Sequence, residues 1–181
     1  VESHRANLLR KLGMRDRVEL VRLPERGGKG SAVRAGVARA RNHAGAVVVV
    51  DADGQHPPDA IPAFLASAGD AELVVGDRFG DLRGMPYHRR LANRTTRRLF
   101  QLVTGREVRD TQNGMRLIRG RALDLLPDGG YEAETRHLRE VLRTGLPVAW
   151  VPIPAIYESE RSSFRSGRDS LRVLWAIVQP L

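Results

Sequence analysis

The sequence predicts an α/β domain built on a mostly parallel sheet flanked by helices, and three observations carry that reading. Short β-branched runs alternate along the chain with longer amphipathic stretches, the rhythm of βα units. One run, residues 46–50 (Ala-Val-Val-Val-Val), is apolar without interruption, as a strand covered on both faces requires. Glycines and prolines fall between the runs, where chain reversals are needed. A length of 181 residues, 41% of them hydrophobic and 28% charged, suits a single domain over residues 1–181 and is too apolar for a disordered chain.

Each element follows from its local pattern. Ala6, Leu8, Leu9 and Leu12 read as an opening helix stopped by Gly13, and residues 18–23 alternate as an edge strand. Residues 31–42 read as a helix with Ser31 as its N-cap. Residues 46–50 are the best candidate for the central strand. A helix over 58–68 starts at Pro57-Pro58, and 72–76 reads as another buried strand. Residues 86–104 form a long arginine-rich helix ending at Gly105. A strand over 115–118, a helix over 131–144 stopped by Gly145, a strand over 148–151 and an apolar helix over 170–178 complete the order.

Composition narrows the chemistry. With no Cys, thiolate metal sites, disulfides and cysteine nucleophiles are excluded, so any metal is held by oxygen or His ligands. The formal charge is +9, and of the 30 basic residues only Lys11 and Lys29 are lysines. This arginine excess favours polyanions: nucleic acid, phosphorylated small molecules or an anionic membrane surface. Residues 44–50, the longest apolar run, fall far short of the roughly 20 residues a membrane span needs. Only 5% of residues are aromatic, which leaves few stacking platforms for bases and weighs against a nucleic-acid-binding domain.

Two segments carry the strongest chemical signals. Asp51 and Asp53 follow the buried run at spacing i, i+2 and so point the same way, with Gly54, Gln55, His56, Pro57 and Pro58 behind them. Hard oxygen donors at a strand's carboxyl end suit Mg²⁺ or Mn²⁺ held with a diphosphate. A bare Asp-x-Asp reads as well as an Asx-capped turn, but the run before it and the Gln and Pro-Pro after it favour the cation. The second segment, Arg26-Gly27-Gly28-Lys29-Gly30-Ser31, lies between a strand and a helix start, where glycines and a cation approach an anion closely. It is not a P-loop, since Gly30 replaces the Ser or Thr after the lysine. A glycine-rich turn without a ligand fits it equally well.

Taken in order, residues 28–36, 51–58, 74–79 (Val-Val-Gly-Asp-Arg-Phe), 89–94, 110–116 (Asp-Thr-Gln-Asn-Gly-Met-Arg), 131–134, and 151–153 with Tyr157 and Ser162-Ser163-Phe164 resemble the family 2 glycosyltransferases. The resemblance is to the polyprenyl-phosphate mannose or glucose synthases, which are similar to dolichol-phosphate mannose synthase. It implies a GT-A (Rossmann-like) sheet and an inverting, metal-dependent transfer of a hexose from a nucleotide sugar of the GDP-mannose or UDP-glucose type to a polyprenyl phosphate. It implies catalytic roles for Asp53, Arg78, Arg90 and Glu134, and a divalent cation, Mg²⁺ or Mn²⁺, on Asp53 and Gln55. Lys29, Asp51, Arg78, Arg89, Arg94, Asp110 and Arg165 are the substrate-binding residues it implies. Arg97 and Arg98 read instead as a solvated helix face.

The family's two opening strands, ending in Pro-x-Tyr-Asn-Glu and Asp-Asp-Gly-Ser, have no counterpart here. The chain therefore reads as N-terminally incomplete, with a gap in the sheet's middle beside residues 46–50 and weak donor binding expected. The resemblance places the protein on the cytoplasmic face of a membrane, peripherally. The 86–104 helix reads equally as an interfacial helix or as one packed on the sheet, and residues 160–181 as a membrane- or acceptor-facing tail, an anchor lead-in or a dimer contact. Competing readings are a family 2 transferase with a soluble or glycan acceptor, and a non-catalytic or basic nucleic-acid-binding fragment.

Overall fold

The computed structural model describes residues 28–41, 44–51, 56–80, 87–155 and 166–179, with the side chains of 88, 89 and 166–170 excepted. The expected opening helix, the 18–23 strand, Tyr157 and the 162–164 segment lie outside the described residues. In chain order the elements are α1 (Lys29–Ala40), β1 (Ala46–Val49), a 3-10 turn (Pro58–Ala60) leading into α2 (Ile61–Ala66), and β2 (Leu73–Asp77). There follow α3 (Tyr87–Thr104), β3 (Arg116–Arg119), a 3-10 turn (Gly120–Leu123), α4 (Ala133–Arg143), β4 (Val148–Pro152) and α5 (Ser166–Val178).

The strands form one sheet in the order β1-β3-β2-β4. β2 and β4 pair in parallel, while β3 runs antiparallel to both β1 and β2. Three strands thus share a direction, as expected of a mostly parallel sheet, and the reversed β3 is inserted between them. Alternation along β2 sorts its side chains by face. Leu73 and Val75 join Phe100, Ile118, Leu138, Val141, Val173 and Ile177 under α3, α4 and α5. Val74 joins Phe64, Met115, Leu117, Val151 and Ile153 under α2. Helices cover both faces, so β2 is buried along its whole length.

Two expectations are corrected. Among the described strands, residues 46–49 are not central: β1 lies at the end of the described sheet, half-buried throughout, with β3 as its pairing partner. An unbroken apolar run reports helices above and below a strand, but it does not encode which strands flank it. The second correction concerns the helix expected from Ser31. It starts at Lys29 with Gly28 as N-cap, and no side chain caps it. Gly28 has φ +87°, a conformation open to glycine, and this lets the chain turn into the helix early. The Gly30 N–H then donates to Gly129 O at 2.8 Å.

Candidate functional site

Strand register assembles the site. Arg116, the first residue of β3, pairs with Val49 of β1 on one side and Val75 of β2 on the other. Asp51 lies two residues beyond Val49, and Asp77 and Arg78 lie just beyond Val75, so these groups flank Arg116 along the carboxyl edge of β1 and β2. This edge is where open α/β sheets bind their ligands.

On the β1 side, the Lys29 ammonium bridges two carboxylates, 2.7 Å from Asp51 Oδ2 and 2.5 Å from Glu134 Oε1. The Tyr131 ring lies 5.7 Å from the same nitrogen, measured to its centroid. Burial alone would lower the lysine's pKa, but Glu134 and Asp51 outweigh it and hold the ammonium above its ordinary value. The segment reaches this position because two glycines permit it. A Cβ on Gly30 would lie 2.4 Å from Ala133 Cβ, and one on Gly28 would lie 2.7 Å from Gly129 O. The glycines therefore serve a close approach of α1 to the start of α4, and the Gly30 N–H is spent on backbone instead of facing an anion.

On the β2 side, Arg78 meets Asp110 in a two-point contact, Nε donating to Oδ2 at 2.7 Å and Nη2 to Oδ1 at 3.0 Å. Asp110 is 2% exposed, and although burial opposes ionisation, Arg78 holds its carboxyl below the ordinary value. Asp110 therefore anchors Arg78 from behind. Asp77 is buried as well, its Oδ1 accepting the Phe79 N–H at 2.9 Å.

Arg116 joins the two halves, and the sequence reading passed over it as a site residue. Its guanidinium is 2% exposed, donates to Asn113 O and to Glu134 O at 2.8 Å each, and keeps its Nη2 buried without a hydrogen-bond partner. Burial pulls its pKa down, against the pull of Glu134, Asp110 and Asp51, while an arginine remains charged at neutral pH. His137, on α4, lies behind it. Burial and the Arg116 charge push His137 down to about 4, so the ring is neutral, with Nε2–H donating to Ala122 O at 2.8 Å and Nδ1 facing Arg116 Nη1 at 3.5 Å. Buried His and Arg leave no periodic signature; the signal available was Arg116 closing the 110–116 motif.

Gly114 completes the enclosure: a Cβ there would lie 2.6 Å from Asp51 Oδ2, 2.8 Å from Lys29 Nζ and 3.0 Å from Glu134 Oε1. Lys29, Gly114, Arg116, Glu134 and His137 line a cleft with about 370 Å³ of atom-free space, part of it open to solvent, whose floor is Val33, Val49 and Ile118. His56 stands at its side, Nδ1 accepting the Asp51 N–H at 2.9 Å. The same Nδ1 lies 3.7 Å from Asp51 Oδ2.

The structure thus brings Lys29, Asp51 and Glu134 into one cluster and Arg78 with Asp110 into a second. Arg90 is half-buried and Arg94 exposed, both on α3. Asp53, Gln55, Arg165 and the Arg89 side chain lie outside the described residues. Among the described residues no group of three His, Asp or Glu side chains is placed to hold a metal ion.

The sequence pattern described as Glycosyl transferase family 2 matches residues 4–126. The chain belongs to that family. This family 2 chain is 33% identical over 132 residues to glycosyltransferase AglJ of Haloferax volcanii, covering 69% of this chain and 43% of the relative. It is 27% identical over 174 residues to polyprenol monophosphomannose synthase of Mycolicibacterium smegmatis, covering 91% and 66%. Against undecaprenyl-phosphate mannosyltransferase of Micrococcus luteus it is 28% identical over 129 residues, covering 67% and 53%. The family 2 chain spans about half the length of the curated relatives it matches. Glucosyl-3-phosphoglycerate synthase of Mycobacterium tuberculosis, solved with UDP, superposes with a TM-score of 0.65 at 24% identity, over 86% of this chain and 56% of that one. The fold is accordingly GT-A, as expected from the sequence.

Proposed function

We propose that this family 2 chain is the catalytic part of a transferase moving a hexose, with inversion, from a nucleoside-diphosphate sugar to a polyprenyl phosphate. The observation that carries this reading is the gathering of Lys29, Asp51, Glu134, Arg116 and the Arg78–Asp110 pair at one carboxyl edge of the sheet. Curated relatives named for polyprenol and undecaprenyl phosphate support the acceptor class. A phosphate acceptor is already an anion near neutral pH, so no strong general base is required. The residues' task is electrostatic: to hold two phosphate groups close and align the anomeric carbon for in-line attack. Arg78 suits this because Asp110 fixes its guanidinium without exposing a competing carboxylate, and Lys29 suits it as a pinned cation between α1 and α4. Arg90 and Arg94 extend the cationic face on this reading, and Arg89 and Arg165 are proposed as further phosphate contacts.

A divalent cation fits the donor chemistry, oxygen ligands at the carboxyl end of β1. Asp53 and Gln55 would hold Mg²⁺ or Mn²⁺, which when bound would supply charge to offset that of the departing diphosphate. The solved relatives with Mn²⁺ and UDP support that choice of cofactor.

A peripheral place on a membrane is supported by the apolar groups left outside. Tyr87, Leu91, Leu102 and Val103 on α3, and Leu171, Leu174 and Trp175 on α5, are exposed on two helices that pack together. Among the described residues no helix is long and apolar enough to cross a membrane. The experiment follows labelled hexose into organic extract when the protein at its natural full length is given nucleotide sugar, Mn²⁺ and a polyprenyl phosphate. Label passing instead to a soluble acceptor overturns the lipid assignment.

A further inference from the structure

The sequence assigns Arg97 to a solvated face of α3, and the structure puts it elsewhere. Its guanidinium carbon lies 5.3 Å from the centroid of Phe79, and its Nε is buried without a hydrogen-bond partner. The Phe79 backbone is held at the end of β2, its N–H donating to Asp77 Oδ1. The carboxylates known beside Phe79 and Arg78 are engaged: Asp110 by Arg78, and Asp77 by the Phe79 N–H, with Arg109 Nη1 4.0 Å from its other oxygen. α3 contributes no acidic residue over its 18 positions, while Arg90, Arg94 and Arg98 add to the positive field around Arg97.

A guanidinium held over a ring face keeps its full charge, and the ring does not use up its terminal N–H donors, which remain for an acceptor beside it. A buried N–H without an acceptor is costly, and natural proteins tolerate few of them. Arg97 lies over Phe79, the residue after the anchored Arg78, and a planar donor fork in a positive field matches the oxygens of a phosphate group. We propose that Arg97, presented by the Phe79 ring, is a binding residue for phosphate oxygens at this site. Two sources share that chemistry: the diphosphate of the donor and the phosphomonoester of the acceptor. The inference rests on the proposed function for the identity of these ligands, but not for phosphate recognition itself.

Isothermal titration of the protein at its natural full length, with GDP and UDP in one arm and a short-chain polyprenyl phosphate in detergent in the other, tests the proposal. Arg97→Met is expected to weaken one arm about tenfold or more, and the arm affected names the source. Arg97→Lys keeps the charge without the fork and recovers part of the loss, while Phe79→Leu, which removes the platform, gives a smaller loss in the same arm. Circular dichroism checks folding; if Arg97→Met fails to fold, Arg97→Lys and Phe79→Leu decide in its place. Unchanged affinity in both arms, or no binding of either ligand by the wild type, overturns the inference. Phosphate binding that depends on Arg97, in a protein that transfers no hexose, upholds it and overturns the function instead.

Discussion

Lys29 is the residue on which the site's local order depends. Its ammonium separates two carboxylates that would otherwise face each other across a partly buried gap. Lys29→Met is expected to cost about 2 kcal/mol of stability, because it leaves Asp51 and Glu134 without their shared counter-ion. Urea unfolding measures this, and a midpoint equal to wild type contradicts it. Gly114 makes the same point sterically. In Gly114→Ala the new methyl enters the space held by Asp51 Oδ2, Lys29 Nζ and Glu134 Oε1, and about 1–3 kcal/mol is the expected cost of that overpacking. Thermal melting of the two variants together separates charge from volume: if the cluster acts as a unit, their costs do not add. From sequence, Asp51 was legible in its spacing after the apolar run and Lys29 in its glycine-rich turn, whereas Arg78, Asp110 and Glu134 were reached only through the family resemblance. Arg116, His137 and the Phe79–Arg97 contact were not legible, because they come together through register and burial, which no local spacing records.

At the scale of elements, α4 connects the core to the site. Its buried face presents His137 to Arg116, and its first turn presents Glu134 to Lys29. His137 carries a pH signature. An unfolded imidazole takes up a proton near pH 6.5, whereas the folded ring refuses it until about pH 4. The unfolded state therefore binds more protons across that window, so stability is greatest above it and falls as the pH drops through it, by about 3 kcal/mol in all. Denaturant titrations at pH 7, 5.5 and 4 are expected to show this fall in the wild type and a shallower one in His137→Gln. Equal slopes in the two proteins contradict the assignment. The helices and strands themselves were largely legible, as β2, α3, α4 and β4 show, since amphipathic and apolar runs report burial directly. What the runs did not reveal was sheet order. The run 46–50 pointed to a central strand, yet β1 lies at the end of the described sheet, because strand neighbours are chosen by backbone pairing across long sequence separations.

For the whole molecule, the charge of +9 and the apolar groups of α3 and α5 are two aspects of one surface on the proposed reading. Arginines near an anionic bilayer contribute about 1 kcal/mol each, and exposed Leu102, Leu171 and Trp175 supply apolar anchorage beside them. Sedimentation with vesicles containing anionic lipid is expected to pellet the protein. Leu102→Glu with Trp175→Glu, and separately high salt, should leave it in the supernatant. Retention unaffected by both assigns that face to another role. The proposed metal-assisted hexose transfer to a lipid phosphate at the carboxyl edge of this sheet is tested most directly by nucleoside diphosphate release. In the protein at its natural full length, release from a nucleotide sugar should require both Mn²⁺ and polyprenyl phosphate and fall about a hundredfold or more in Asp53→Ala. Release that ignores polyprenyl phosphate, or that survives Asp53→Ala undiminished, contradicts it.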